Sequence, residues 1–248
     1  MKAISILKPL EFSLETTGES WTQGSALKGL LIIKNQSESV QTLSDSLIAL
    51  AYADIKKVHA KAQGCFKMAQ TIEMKVNTIN GHQTLEIPFE FALDPNTSVS
   101  DKKASFHLLY GKMEAPFHLQ IPILPQPLYL EMLKLFENFF RFKIKEYKGT
   151  AKGVDYILTP PSSREFATVE TLVLSFITEA SGLKIDFTFN IKKIELVGTN
   201  TQVMKDTKLI TKLLAPNEYM MGKTHLDQDK LLKIFEAILK EVKPRHLL

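Results

Sequence analysis

Between Leu183 and Lys192 every second residue is apolar: Leu183, Ile185, Phe187, Phe189 and Ile191 alternate with Lys184, Asp186, Thr188, Asn190 and Lys192. A period of two matches the alternating side chains of a strand and no helix. A strand with one apolar and one wet face must bury the apolar one against a second layer. The same alternation recurs at Leu10-Phe12-Leu14, at Leu85-Ile87-Phe89-Phe91-Leu93, from Phe106 to Ile123, and at Phe140-Phe142-Ile144. The chain is therefore expected to be mainly β, with antiparallel sandwiches as the simplest way to cover so many half-apolar strands.

Turn chemistry divides these runs. Asn80-Gly81 is the strongest hairpin signal in the chain. Pro88 lies inside an alternating run and calls for an edge position or a bulge. Glu179-Ala180-Ser181-Gly182 joins two long alternating runs. Pairing Tyr110 with Ala115 across Gly111–Glu114 sets His107 opposite His118, both outward. The segment Leu43–Val58 is open between strand and helix, because Leu47, Ala49, Ala51 and Ala53 alternate but alanine favours helices.

Residues 121–127, IPILPQP, hold three prolines. Such a stretch is stiff and cannot lie inside a sheet. The boundary is placed there, giving an N-terminal sandwich over 1–124 and a C-terminal one over 125–248. A short helix follows, with Leu128, Met132, Leu135 and Phe136 at helical spacing. A second, amphipathic helix is expected at 227–243, capped by Asp227 or Asp229 and carrying Leu231, Phe235, Ile238 and Leu239 on one side. Its polar side mixes lysines with acids, so it is expected to pack on the second domain or on a symmetry mate.

Composition removes several function classes. The net charge is +4, all of it in residues 125–248, and only Arg141, Arg164 and Arg245 are arginine. Readers of nucleic acid cluster arginine, which grips phosphate and guanine bidentately, so nucleic-acid binding is not expected. The single Cys65 excludes an internal disulfide and a cysteine-built zinc site. No phosphate-cradling glycine loop, nucleophile elbow or zinc-protease motif is present. The chain is read as non-enzymatic, without a cofactor. No apolar run reaches the ~20 residues that span a bilayer, and Lys8-Pro9 cut the N-terminal apolar stretch far short of a signal sequence; a cytoplasmic location is the expectation.

Two constellations have a chemical reading. Paired imidazoles at His107 and His118 could ligate a metal with a third donor; the expectation is that they are solvated histidines and hold none. Arg141, Lys143 and Lys145, with Lys148 and Lys152 beyond, form the clearest basic cluster. Alternation with Phe140, Phe142 and Ile144 sends the first three to one side of a strand, a stripe fit for an acidic protein partner or an anionic membrane surface.

The order of segments also carries a resemblance. GESWTQGSALKGLLIIKNQ resembles the opening of arrestin-like domains, and IPFEFAL followed by SFHLLYGKMEAPFHLQIPI their closing strands. FFRFKIKEY, VDYILTPPSSREF and VETLVLSFITEASGLKIDFTFNIKK resemble the second domain of the bacterial sporulation-control protein family. The likeness spans roughly residues 8–195. The family's glycine pair after the second strand is Asn35-Gln36 here, and its arginines near the end of the long strand are Lys192 and Lys193. The resemblance implies two tandem arrestin-like β-sandwiches, a scaffold or regulatory role and no catalysis. On these readings the chain binds protein partners through β-sandwich surfaces. A carbohydrate- or lipid-binding sandwich is the alternative, and peripheral membrane contact and homodimerisation stay open.

Overall fold

The computed structural model describes residues 1–43, 46–150, 153–197, 200–222 and 225–242, the side chains of 193–203 excepted. The fold is mainly β, and the chain separates into two compact units, Met1–Leu124 and Pro125–Leu248.

In unit 1, β1 (Lys2–Leu7), β2 (Leu10–Thr16), β3 (Ala26–Asn35) and β6 (Thr84–Ala92) make one antiparallel sheet in the order β1-β2-β3-β6. β4 (Ser46–Asp54), β5 (Phe66–Glu73), β7 (Ala104–Lys112) and β8 (Phe117–Ile121) make the other, ordered β8-β7-β4-β5. Phe12, Leu14, Leu31, Ile33 and Phe91 from the first sheet share one core with Ile48, Leu50, Phe106, Leu108 and Tyr110 from the second. Trp21 fills part of it, and Trp21–Thr22 pairs in parallel with Ile123–Leu124. Pro88 does sit on an edge strand, β6, where its missing N–H costs no ladder bond.

One open segment in this unit is resolved and two expectations are corrected. Leu43–Val58 is a strand over Ser46–Asp54 followed by a helical turn α1 (Ile55–His59), which Asp54 caps by accepting from the Lys56 and Lys57 N–H groups. The β7–β8 hairpin pairs Tyr110 with Phe117 and Leu109 with His118, two residues away from the expected register. An even shift keeps every side chain on its face, so the face assignment stands although His107 opposes Gln120. Asn80-Gly81 does not close a hairpin between the strands that flank it. β5 belongs to one sheet and β6 to the other, and the turn instead follows Thr78–Ile79, which pairs with Gln41–Thr42. Gly81 is needed for another reason: a methyl there would overlap the Glu38 carbonyl.

In unit 2, β9 (Lys143–Thr150), β10 (Gly153–Thr159), β11 (Val169–Glu179), β12 (Gly182–Val197) and β13 (Asn200–Leu214) form one antiparallel sheet in sequence order. The expected second sheet of a sandwich is replaced, among the described residues, by helices α2 (Pro127–Phe140) and α3 (Gln228–Lys240). Pro127 opens α2, where a missing N–H is harmless and its fixed φ suits the first turn. α3 is capped by Asp227, which accepts from the Lys230 N–H at 3.2 Å. Tyr129 stacks on Phe176 with centroids 4.9 Å apart. Phe136 lies 4.7 Å from Phe235 and 6.4 Å from Phe187. Both helices thus bury their apolar stripes on the face that carries Ile185, Phe187 and Phe189, and the expectation that the C-terminal helix packs on its own unit is met.

Candidate functional site

The outer face of the β8-β7-β4-β5 sheet carries Ala49, Ala51, Ser105, His107 and Leu109, and all five are buried. His107, expected outward and solvated, is only 2% exposed. Its ring meets Phe66 edge-on at 5.4 Å and His118 at 5.3 Å. Neither ring nitrogen has a hydrogen-bond partner. Burial, then the neighbouring His118 and His59, push its pKa down to about 4, so at neutral pH it is an uncharged imidazole. His118 is also held below the usual histidine range, by burial and then by His59.

A groove of about 690 Å³ opens beside this pair. α1 supplies Val58, the loop after it Lys61 and Cys65, and the start of β5 Phe66; the β7–β8 turn supplies Pro116, and the start of β8 Phe117 and His118. Its walls are largely apolar, with Lys61 the only formally charged side chain lining it. Cys65 is a free, half-buried thiol. Among the described residues no three His, Cys, Asp or Glu side chains are grouped so as to hold a metal.

The basic cluster is built differently from the expected strand stripe. α2 runs through Phe140, and Arg141 ends it in the left-handed conformation with φ 62°. Phe142 N–H then returns to the Phe136 carbonyl at 3.0 Å, a helix-closing bond. β9 begins only at Lys143, and a bulge between Ile144 and Glu146 leaves Lys145 without an opposite residue. Arg141, Lys143 and Lys145 are all exposed, yet they sit on a cap, a strand end and a bulge, not on one strand face. Phe142 is buried as the alternation required. Lys148 pairs with Glu146 at 3.1 Å, and Lys152 lies outside the described residues.

A second concavity, about 710 Å³, lies in unit 2 beneath the Pro160–Arg164 loop and includes Lys192 and Glu170. Sequence reasoning passed over both concavities because neither has a motif. Their lining residues come from segments far apart in the chain, and only the pairing of strands brings them together.

No protein-family model and no curated protein matches the chain. Two β-glucosidase structures from Listeria innocua, one bound to laminaribiose and one to gluconolactone, align with 46% of this chain and 16% of theirs, at 14% and 15% identity. Their TM-scores of 0.30 and 0.29 are too low to bear on fold or activity. The crystal structure of Spo0M, a sporulation control protein from Bacillus subtilis, aligns with 95% of this chain and 100% of its own length, at 14% identity and a TM-score of 0.67. In fold, this chain is similar to the sporulation-control protein Spo0M.

Proposed function

We propose that this chain is a regulatory protein without catalytic activity, which acts by binding another protein through the surfaces of its sheets. The observation that carries the reading is the fold shared with a sporulation control protein along 95% of the chain. Fold likeness at 14% identity is an argument by analogy, and the surfaces add physical support. Unit 1 exposes Ile4 and Ile6 by 58% and 57% on an edge strand, and unit 2 exposes Leu209 by 60%. Apolar side chains on exposed strands are suited to a partner that adds a strand or covers a sheet. In this reading unit 1 is an arrestin-like sandwich, unit 2 is a helix-covered sheet, and the protein works as a cytoplasmic scaffold. Arg141, Lys143 and Lys145 supply a basic contact for an acidic region of the partner.

The test is affinity capture from the native lysate at physiological salt, read by mass spectrometry. A partner retained by the wild-type chain and lost on Ile4→Lys with Ile6→Lys supports the reading. Finding no protein above a tag-only control would sink it.

The groove beside Phe66 and His118 favours one other reading, a carbohydrate or lipid held in unit 1. Its mostly apolar walls and single lysine suit an apolar body with a polar head. Heteronuclear NMR of the chain titrated with short-chain carboxylates and oligosaccharides separates the two readings. Shifts confined to the Cys65–Phe66 and Pro116–His118 amides would support the ligand.

A further inference from the structure

β13 is an edge strand of the unit 2 sheet, and at 15 residues it is one of the two longest strands in the chain. A long edge presents a row of unpaired N–H and C=O groups and is a template for another strand. The Thr207 N–H shows the condition of this edge: it donates to the carboxylate of its neighbour Asp206 at 2.8 Å. Leu209 and Leu213, on the face turned away from the helices, are 60% and 51% exposed.

The sequence of this edge is close to its own complement when read backwards. From Met204 to Leu214 it runs Met-Lys-Asp-Thr-Lys-Leu-Ile-Thr-Lys-Leu-Leu. In an antiparallel pair with a second copy, centred on Leu209, Leu209 meets Leu209 and Thr207 meets Thr211. Asp206 meets Lys212, and Met204 meets Leu214, while Lys205 meets Leu213 and Lys208 meets Ile210. Every pair joins side chains of one face, because residues equally distant from the centre share parity. The Asp206–Lys212 match occurs twice by symmetry, and opposite charges or apolar groups set directly across a ladder stabilise it. Neighbouring registers do less. Centring on Thr211 leaves the lysines without an acid opposite. Centring on Thr207 sets Asp206 against Lys208, whose ammonium is already held by the Glu241 carbonyl at 2.8 Å.

We infer that β13 is a self-association edge: two copies of this chain pair antiparallel about Leu209 and join their five-stranded sheets into one of ten. A two-fold pairing of this kind closes on itself and leaves no free β13 edge. The inference goes beyond the proposed function and does not depend on it.

Sedimentation equilibrium of the full chain at tens of micromolar protein tests it. The expected mass is that of a dimer. Leu209→Lys places like charges at the symmetry axis and should yield the monomer with an unchanged circular dichroism spectrum, since Leu209 is exposed. Asp206→Lys should weaken the dimer, and Asp206→Lys combined with Lys212→Asp should restore it. Position-specific cross-linking checks the register without disturbing the fold. In a Cys65→Ser background, Leu209→Cys should form an intermolecular disulfide under mild oxidation, and Leu213→Cys, which faces Lys205, should not. A wild-type monomer, a dimer indifferent to Leu209→Lys, or equal cross-linking at both positions would overturn the inference.

Discussion

β4 and β12 are both central strands, and they present opposite cases for reading a sequence. β12 has one face against α2 and α3, where Leu183, Ile185, Phe187 and Phe189 are at most 2% exposed, and one face in water. Its alternation is therefore clean. β4 is buried on both faces: Ile48 and Leu50 point into the sandwich, while Leu47, Ala49, Ala51 and Ala53 lie under other residues on the outside. A strand covered twice has no reason to alternate, and a run rich in alanine then looks as much like a helix. The difference teaches that period two reports one wet face, not strand structure as such.

The comparison can be broken by substitution. On β4 the outward position should be as intolerant as the inward one. Ala51→Asp would bury an unpaired carboxylate where nothing is exposed, a cost of several kcal/mol that should prevent folding. On β12 the two faces should differ. Phe187→Ala removes a ring packed against Phe136 and Phe235 and should cost about 3–5 kcal/mol in urea unfolding. Thr188→Ala, on the wet face, should cost less than ~1 kcal/mol. A folded Ala51→Asp variant, or equal losses at 187 and 188, would refute the contrast.

The same distinction explains what was legible. The mainly β class, the amphipathic α3 and the buried face of β12 follow from patterns that water enforces residue by residue. α2 was legible through Leu128, Met132, Leu135 and Phe136, but its end was not. Phe140 and Phe142 look like strand residues, whereas Phe140 closes the helix and Phe142 begins the return behind a left-handed Arg141. Alternation of two or three residues cannot separate these cases, because a helix terminus also exposes and buries in turn. The layer that covers unit 2 is helical where a sheet is expected, because both helices come from outside the strand run they cover. His107 was assigned to the correct face and the wrong environment. Its neighbours Phe106 and Leu108 fix its direction, and only the fold shows that this direction leads into Phe66. Neither concavity was legible at all.

His107 sharpens the contrast through pH. Folded, it takes up a proton only near pH 4; unfolded, near the ordinary 6.5. Between these values the unfolded chain binds more protons than the folded one, so stability falls as the pH drops from about 6.5 towards 4 and is level above. The full loss from this group is up to about 3 kcal/mol, and His118, shifted the same way, adds to it. His107→Leu removes two unpaired buried nitrogens and should leave stability at pH 7 unchanged or higher. It should also flatten the acid slope in urea titrations at a series of pH values. A slope as steep in His107→Leu as in the wild type would place His107 in water after all, and the outer face of β4 and β7 with it.

The smallest expected effect on stability belongs to the cluster of Arg141, Lys143 and Lys145. These side chains occupy a stretch where helix cap, strand start and bulge follow within five residues, and all three extend into water. Lysines at a bulge on an edge strand have a bland role: they keep the β9 edge from pairing with other chains. As a binding surface they would act through long-range attraction, raising the association rate in a way that salt screens. The triple change Arg141→Glu, Lys143→Glu and Lys145→Glu should leave the melting temperature nearly unchanged, because exposed charges contribute little to folding. The left-handed conformation of Arg141 must still be adopted by glutamate, so Arg141→Gly serves as the control for backbone strain. If the cluster binds, the triple variant should lose the partner captured by the wild type, and the wild-type interaction should weaken as salt rises. If it only guards the edge, capture persists and the variant stays soluble, since three glutamates repel as well as three cations do.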